Sequence, residues 1–169
     1  MQRPTGKSRH RVLDRVHDAV SGLRNVTRRP VADDDRPRAL AVSCRHSEQE
    51  ALQEAFRAAG WELAIADSVT AALARQKKFP VPIILCGRDF PESDWQKTVL
   101  MFTGLQERPW VIHLSSRCDQ NLWKELTAIG GSDILRTPLN AGAVTRSVKS
   151  GWQLWRHLRH IHDVTKSEL

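Results

Sequence analysis

Residues 39–169 predict an α/β domain with a doubly wound sheet of five parallel strands, preceded by an extra helix and closed by an extended one. Five short apolar runs alternate with five helical patterns, and Gly, Pro, Ser or Asp residues punctuate the junctions. Within each run the apolar residues are consecutive, which is the texture of strands covered on both faces. Short connections between run and helix imply right-handed crossovers and therefore parallel neighbours.

In chain order, Ala39–Ser43 is the first run. Ser47 and Glu50 then have the S-x-x-E spacing of a capping box, which opens a helix reaching Ala59, and Gly60 stops it. Trp61–Ala66 is the second run, and Asp67 or Ser68 caps a helix to about Lys77. Pro82–Cys86 is the third, followed by a Pro-containing loop and a helix over Asp94–Phe102. Trp110–Ser115 is the fourth, before a helix capped near Asp119 and ended by Gly130-Gly131. Asp133–Arg136 is the fifth, and after Pro138 the last helix starts at about Asn140. This order matches a flavodoxin-like, doubly wound domain.

Residues 1–38 have a different texture and read as a basic arm. Residues 1–9 show no periodicity, whereas Val12, Val16, Val20 and Leu23 share one face of a helix over His10–Arg24. Residues 25–38 hold two prolines, four arginines and three consecutive aspartates, the composition of an exposed linker. The arm has ten Lys/Arg against five Asp/Glu, so +5 of the chain's net +7 lies there, and the remainder is nearly balanced. The charge points to acidic partners for the arm and says little of the main domain.

At 169 residues and 40% hydrophobic content, the chain can bury one proper core, which excludes global disorder. The longest apolar runs are far too short to span a bilayer, so no membrane is expected as a partner. The N-terminus has positive charge but no apolar stretch behind it, so the expectation is a cytoplasmic protein. Cys44, Cys86 and Cys118 fit neither a disulfide framework nor zinc-site spacing, and they read as small hydrophobes.

Several strings resemble the receiver domains of two-component response regulators. The string Ile83-Ile84-Leu85-Cys86-Gly87-Arg88-Asp89-Phe90-Pro91 is similar to the third strand of that family, with its following proline. His113-Leu114-Ser115-Ser116-Arg117 is similar to the end of the fourth strand, and residues 130–139 (GGSDILRTPL) resemble the string that leads through the fifth. The spacings agree over about 115 residues and leave out residues 1–38 and the end of the last helix. In that family an acidic pair after strand one and an acceptor aspartate after strand three hold magnesium, while a hydroxyl and a lysine contact the phosphoryl oxygens. The resemblance puts Ser43 and Cys44 at the acidic pair, Gly87 at the acceptor, Ser115 at the hydroxyl and Thr137 at the lysine. Only the hydroxyl is matched, so the expected site is degenerate, with no catalytic residue, no metal and no cofactor. Asp89, two residues past Gly87, lacks the positioned charge that would make it an acceptor. Arg45 and Arg88 fall at the pocket edge, placed either to contact an anion or to pair with Asp89 and Asp94.

Six tryptophans accompany no tyrosine. Trp61 and Trp110 open strands and read as packing residues, while Val144, Val148, Trp155 and Leu158 mark one apolar face of the last helix. Trp123, Trp152, Trp155 and Leu158 are the candidate contact surface, since tryptophan suits interfaces and this helix outruns the usual receiver. His157, His160 and His162 share no i, i+4 face for a metal, so Arg156–His162 reads as a solvated basic helix end. The expected function is a phosphorylation-independent protein-interaction or dimerisation module in signal transduction, with a protein partner or a second copy on the last helix. The alternatives are a nucleic-acid-associated regulator using the basic arm and that helix, and an active phosphorelay domain.

Overall fold

The first strand, β1 (Arg38–Val42), is a run in which every residue after Arg38 is buried. The computed structural model describes residues 35–42, 44–87 and 94–167. The predicted helix over His10–Arg24, the candidates Ser43 and Arg88, and Asp89 lie outside the described residues. After β1 the elements are α1 (His46–Ala59), β2 (Glu62–Ala66), α2 (Val69–Lys78), β3 (Ile83–Cys86), α3 (Trp95–Thr103), β4 (Trp110–Ser115), α4 (Gln120–Ala128), β5 (Asp133–Arg136) and α5 (Ala141–Ser167). The sheet order is β2-β1-β3-β4-β5, and all neighbours are parallel. This is the doubly wound sheet that the apolar runs predict, including the extended last helix.

Helices cover both faces because alternate strand residues must both be kept from water. On one face Ala39, Ala41, Ile83, Leu85, Ile112 and Leu114 pack under α1 (Leu52, Phe56) and α5 (Val144, Val148). On the other, Leu40, Val42, Ile84, Cys86 and Val111 pack under α2 (Ala72), α3 (Val99, Phe102) and α4 (Leu122, Leu126). Ile84, Leu85, Ile112 and Leu114 are fully enclosed, and each contributes about 1.5–3 kcal/mol by leaving water.

The caps follow the predicted chemistry at two helices, and Asn140 caps the last one. Ser68 accepts from the Ala71 amide at 3.1 Å, Asp119 from Leu122 at 2.8 Å and Asn140 from Ala143 at 3.0 Å. Gly60 ends α1 with φ 68°, a left-handed conformation that costs glycine nothing. At the start of α1 the predicted Ser47/Glu50 box is corrected. The capping position is Arg45, whose amide donates to the Glu48 carboxylate at 2.9 Å. Glu48 can serve because it is the third helical residue and folds back over the first turn.

The last helix runs past the domain, as expected. Its domain-facing side is Val144, Ser147, Val148 and Gly151, all buried. Trp155 is half-buried and Leu158 is 59% exposed, so the predicted apolar face leaves the domain within its second half. Gly151 is small by necessity, since a Cβ there would lie 2.7 Å from Trp110 Nε1. No described helix is long and apolar enough to cross a membrane.

Candidate functional site

Strand order reverses at β1, between β2 and β3, and in such sheets the crevice lies beyond the carboxyl ends of the strands. The sequence-predicted pocket residues that are described converge on that edge. Cys44 follows β1, Gly87 follows β3, Ser115 ends β4 and Thr137 follows β5. Backbone bonds knit the edge together, from Gly87 N to Val42 O (2.8 Å) and from Thr137 N to Ser115 O (2.9 Å). Gln49 donates to Cys44 O at 2.9 Å, which holds the β1–α1 turn against the first helix.

Depth separates these residues into two groups. Cys44, Gly87 and Ser115 are buried beneath the edge. The Cys44 thiol lies 3.6 Å from Val42 O and 4.0 Å from Leu85 O, its polar end directed at strand carbonyls. The Ser115 hydroxyl accepts from the Arg117 amide at 3.1 Å, so the loop after β4 folds over it. Thr137 belongs to the outer group, in an open cleft lined by Arg45, Ser47, Glu48, Ala51, Ser116, Thr137, Pro138 and Leu139. The Thr137–Pro138 peptide in its wall is cis. The structure thus brings Arg45 and Thr137 to one cleft and keeps Cys44, Gly87 and Ser115 buried and outside its lining.

Chemically, the cleft presents hydroxyls and one guanidinium, and the carboxylate of Glu48 is engaged with the Arg45 amide. Burial pushes the Cys86 thiol up, with Cys44 adding to the effect, so Cys86 stays protonated. Among the described residues, no three His, Cys, Asp or Glu side chains come together as a metal site.

Beneath the other face is a pair that sequence reasoning missed. His113 of β4 is buried and stacks on Trp95 of α3, with ring centroids 4.7 Å apart and planes at 24°. An apolar strand with one histidine and a tryptophan at a helix start were both legible, but no local pattern joins residues eighteen apart in sequence. Gln76 was missed too. It is buried, donates to Val81 O at 2.9 Å and accepts from Val81 N at 3.0 Å, fixing the turn into β3.

The candidate interface residues fall into different settings. Trp152 is half-buried on the core with the Arg156 guanidinium over its ring at 4.6 Å. Trp155 donates to Glu107 O at 3.3 Å and has Arg159 over its ring at 5.0 Å. Trp123 on α4 is 43% exposed, and Leu158 is freer still. The structure therefore aligns Trp152, Trp155 and Leu158 along α5 and leaves Trp123 on a separate helix.

Comparison with solved structures places this fold among receiver domains of response regulators. The chemotaxis protein CheY4 of Vibrio cholerae is 19% identical, with a TM-score of 0.60 over 68% of this chain and 98% of that one. A response regulator from Chloroflexus aurantiacus is 20% identical, with a TM-score of 0.60 over 70% and 99%. The signal receiver domain of an HD domain-containing protein from Pseudomonas fluorescens is 17% identical, with a TM-score of 0.65 over 74% and 93%. No protein-family model matches the chain, and no curated protein does. At this identity the likeness is one of fold.

Proposed function

We propose that this chain is a receiver-type signalling module that works by protein contact and takes up no phosphoryl group. The observation that carries the reading is the make-up of the sheet edge, where Cys44 follows β1, Gly87 follows β3 and Thr137 follows β5; the resemblance to receivers assigns them to the acid, the acceptor and the lysine. Magnesium sites are built on carboxylate oxygens, and neither the Cys44 thiol nor Gly87 supplies one. Phosphoryl transfer depends on positioned charge, which a threonine in place of an ammonium does not provide. The receiver fold of the solved neighbours supports a place in two-component signalling. The exposed Trp123 and Leu158 support contact with another protein.

Incubation with acetyl phosphate and magnesium, followed by intact-mass measurement, tests this reading. The expected result is an unchanged mass. A stoichiometric gain that disappears in Asp89→Asn would overturn the proposal and establish a phosphate-accepting domain.

A further inference from the structure

We infer that the free end of α5 pairs antiparallel with the same segment of a second copy of this chain. The inference rests on the reading of the chain as a protein-contact module and names the contact.

Leu154, Leu158, Ile161 and Thr165 recur at intervals of four, three and four along α5, so they form one stripe. All four are exposed, with Leu154, Leu158 and Ile161 at 47, 59 and 51%. Three branched aliphatic side chains in a row on a projecting helix are an interaction surface. Nothing on the stripe is charged. Arg156 and Arg159 lie off it, turned over the rings of Trp152 and Trp155. A stripe without flanking fixed charge does not select an acidic peptide, whereas a second copy of the same stripe matches it in polarity.

The orientation follows from where the stripe points. Leu154 is seven residues after Ser147, and Leu158 is seven after Gly151, so each pair shares a helix side to within about 20°. Ser147 and Gly151 are buried, Ser147 bonded to Asp133 of β5 and Gly151 against Trp110. The stripe thus continues the domain-facing side of α5 past the edge of the sheet. A partner helix running parallel would collide with β5 on reaching Ser147. One running antiparallel meets only the half of α5 that follows Gly151, from Trp152 to Ser167, which is about 24 Å long. The spacing suits this arrangement, because the four positions are symmetric about the point between Arg159 and His160. Antiparallel pairing then sets Leu158 against Ile161 and Leu154 against Thr165 on both sides. The helix is already formed by its domain-bound half, so pairing carries little ordering cost.

Light scattering on the full chain and on Leu158→Glu tests the pairing. The expected result is a dimer for wild type and at least about a tenfold rise in dissociation concentration for the variant. The variant should still fold and melt cooperatively, because Leu158 is exposed within one chain. Orientation is read in a Cys118→Ser background by oxidative cross-linking. Leu154→Cys mixed with Thr165→Cys should cross-link, and Thr165→Cys alone should not. A wild type that stays monomeric at about 200 µM, or a Leu158→Glu that unfolds, overturns the inference. Cross-linking of Thr165→Cys with itself overturns the antiparallel arrangement. Each of these outcomes is independent of the acetyl phosphate result, so a monomer that takes up no phosphoryl group would reject the pairing alone.

Discussion

Gly151 shows how one residue can set the seating of a helix. Alanine there would gain about 1 kcal/mol of helix propensity, but its methyl would press on the Trp110 ring, 2.7 Å from Nε1 and 2.9 Å from Cγ. Overpacking of this kind costs about 1–3 kcal/mol, so the clash outweighs the gain. Gly151→Ala is therefore expected to lower the urea midpoint with an unchanged slope. A midpoint equal to or above wild type would mean that Trp110 swings away freely. Gln76 works in the opposite sense, by supplying polar atoms in a buried place. Its amide satisfies both backbone groups of Val81, which no apolar residue of its size could do.

At the level of elements, the start of α4 is a test of charge at a helix cap. The Asp119 carboxyl is held below the ordinary range, first because the Leu122 amide donates to it, and second through the Arg117 guanidinium. A depressed acid stabilises the fold above its unfolded-state pKa, and that contribution is lost as pH falls through the lower folded-state value. Asp119→Ala is thus expected to melt below wild type at pH 7, with the gap closing as pH drops below about 4. Because Asp119 and Arg117 are exposed, added salt should narrow the ion-pair part of the gap. A gap constant down to pH 3 would show that the carboxylate charge plays no part. The same element logic explains the corrected cap of α1. Arginine is not a usual capping residue, so the Arg45–Glu48 link was invisible beside the familiar Ser47/Glu50 spacing.

Across the whole molecule, every buried residue among those described lies between Pro37 and Gly151. Removing residues 1–35 is accordingly expected to leave the melting temperature within about 2 °C of the full chain. A larger loss would show that the arm shares in the core. The same distribution gives α5 two roles, since its first half closes the core with Val144 and Val148 and its second half passes beyond it. Truncation of the arm should also leave the oligomeric state read by light scattering unchanged, because the stripe proposed to pair is on α5 alone.

The sequence alone determined the order and kind of the described elements. β4 and β5 begin and end at the predicted residues, because consecutive apolar runs and capping residues are local properties of the chain. It also identified the residues of the sheet edge, through spacings similar to those of receivers. Only the tertiary structure decided their depth: Cys44, Gly87 and Ser115 are buried, while Thr137 lines the cleft with Arg45, more than ninety positions away in the chain. Tertiary structure likewise decided that Trp155 bonds the Glu107 carbonyl while Leu158, one turn on, faces water. The helical period makes Trp155 and Leu158 neighbours on one face. Where the sheet ends beneath them depends on packing between strands and helices distant in sequence, which no local pattern contains.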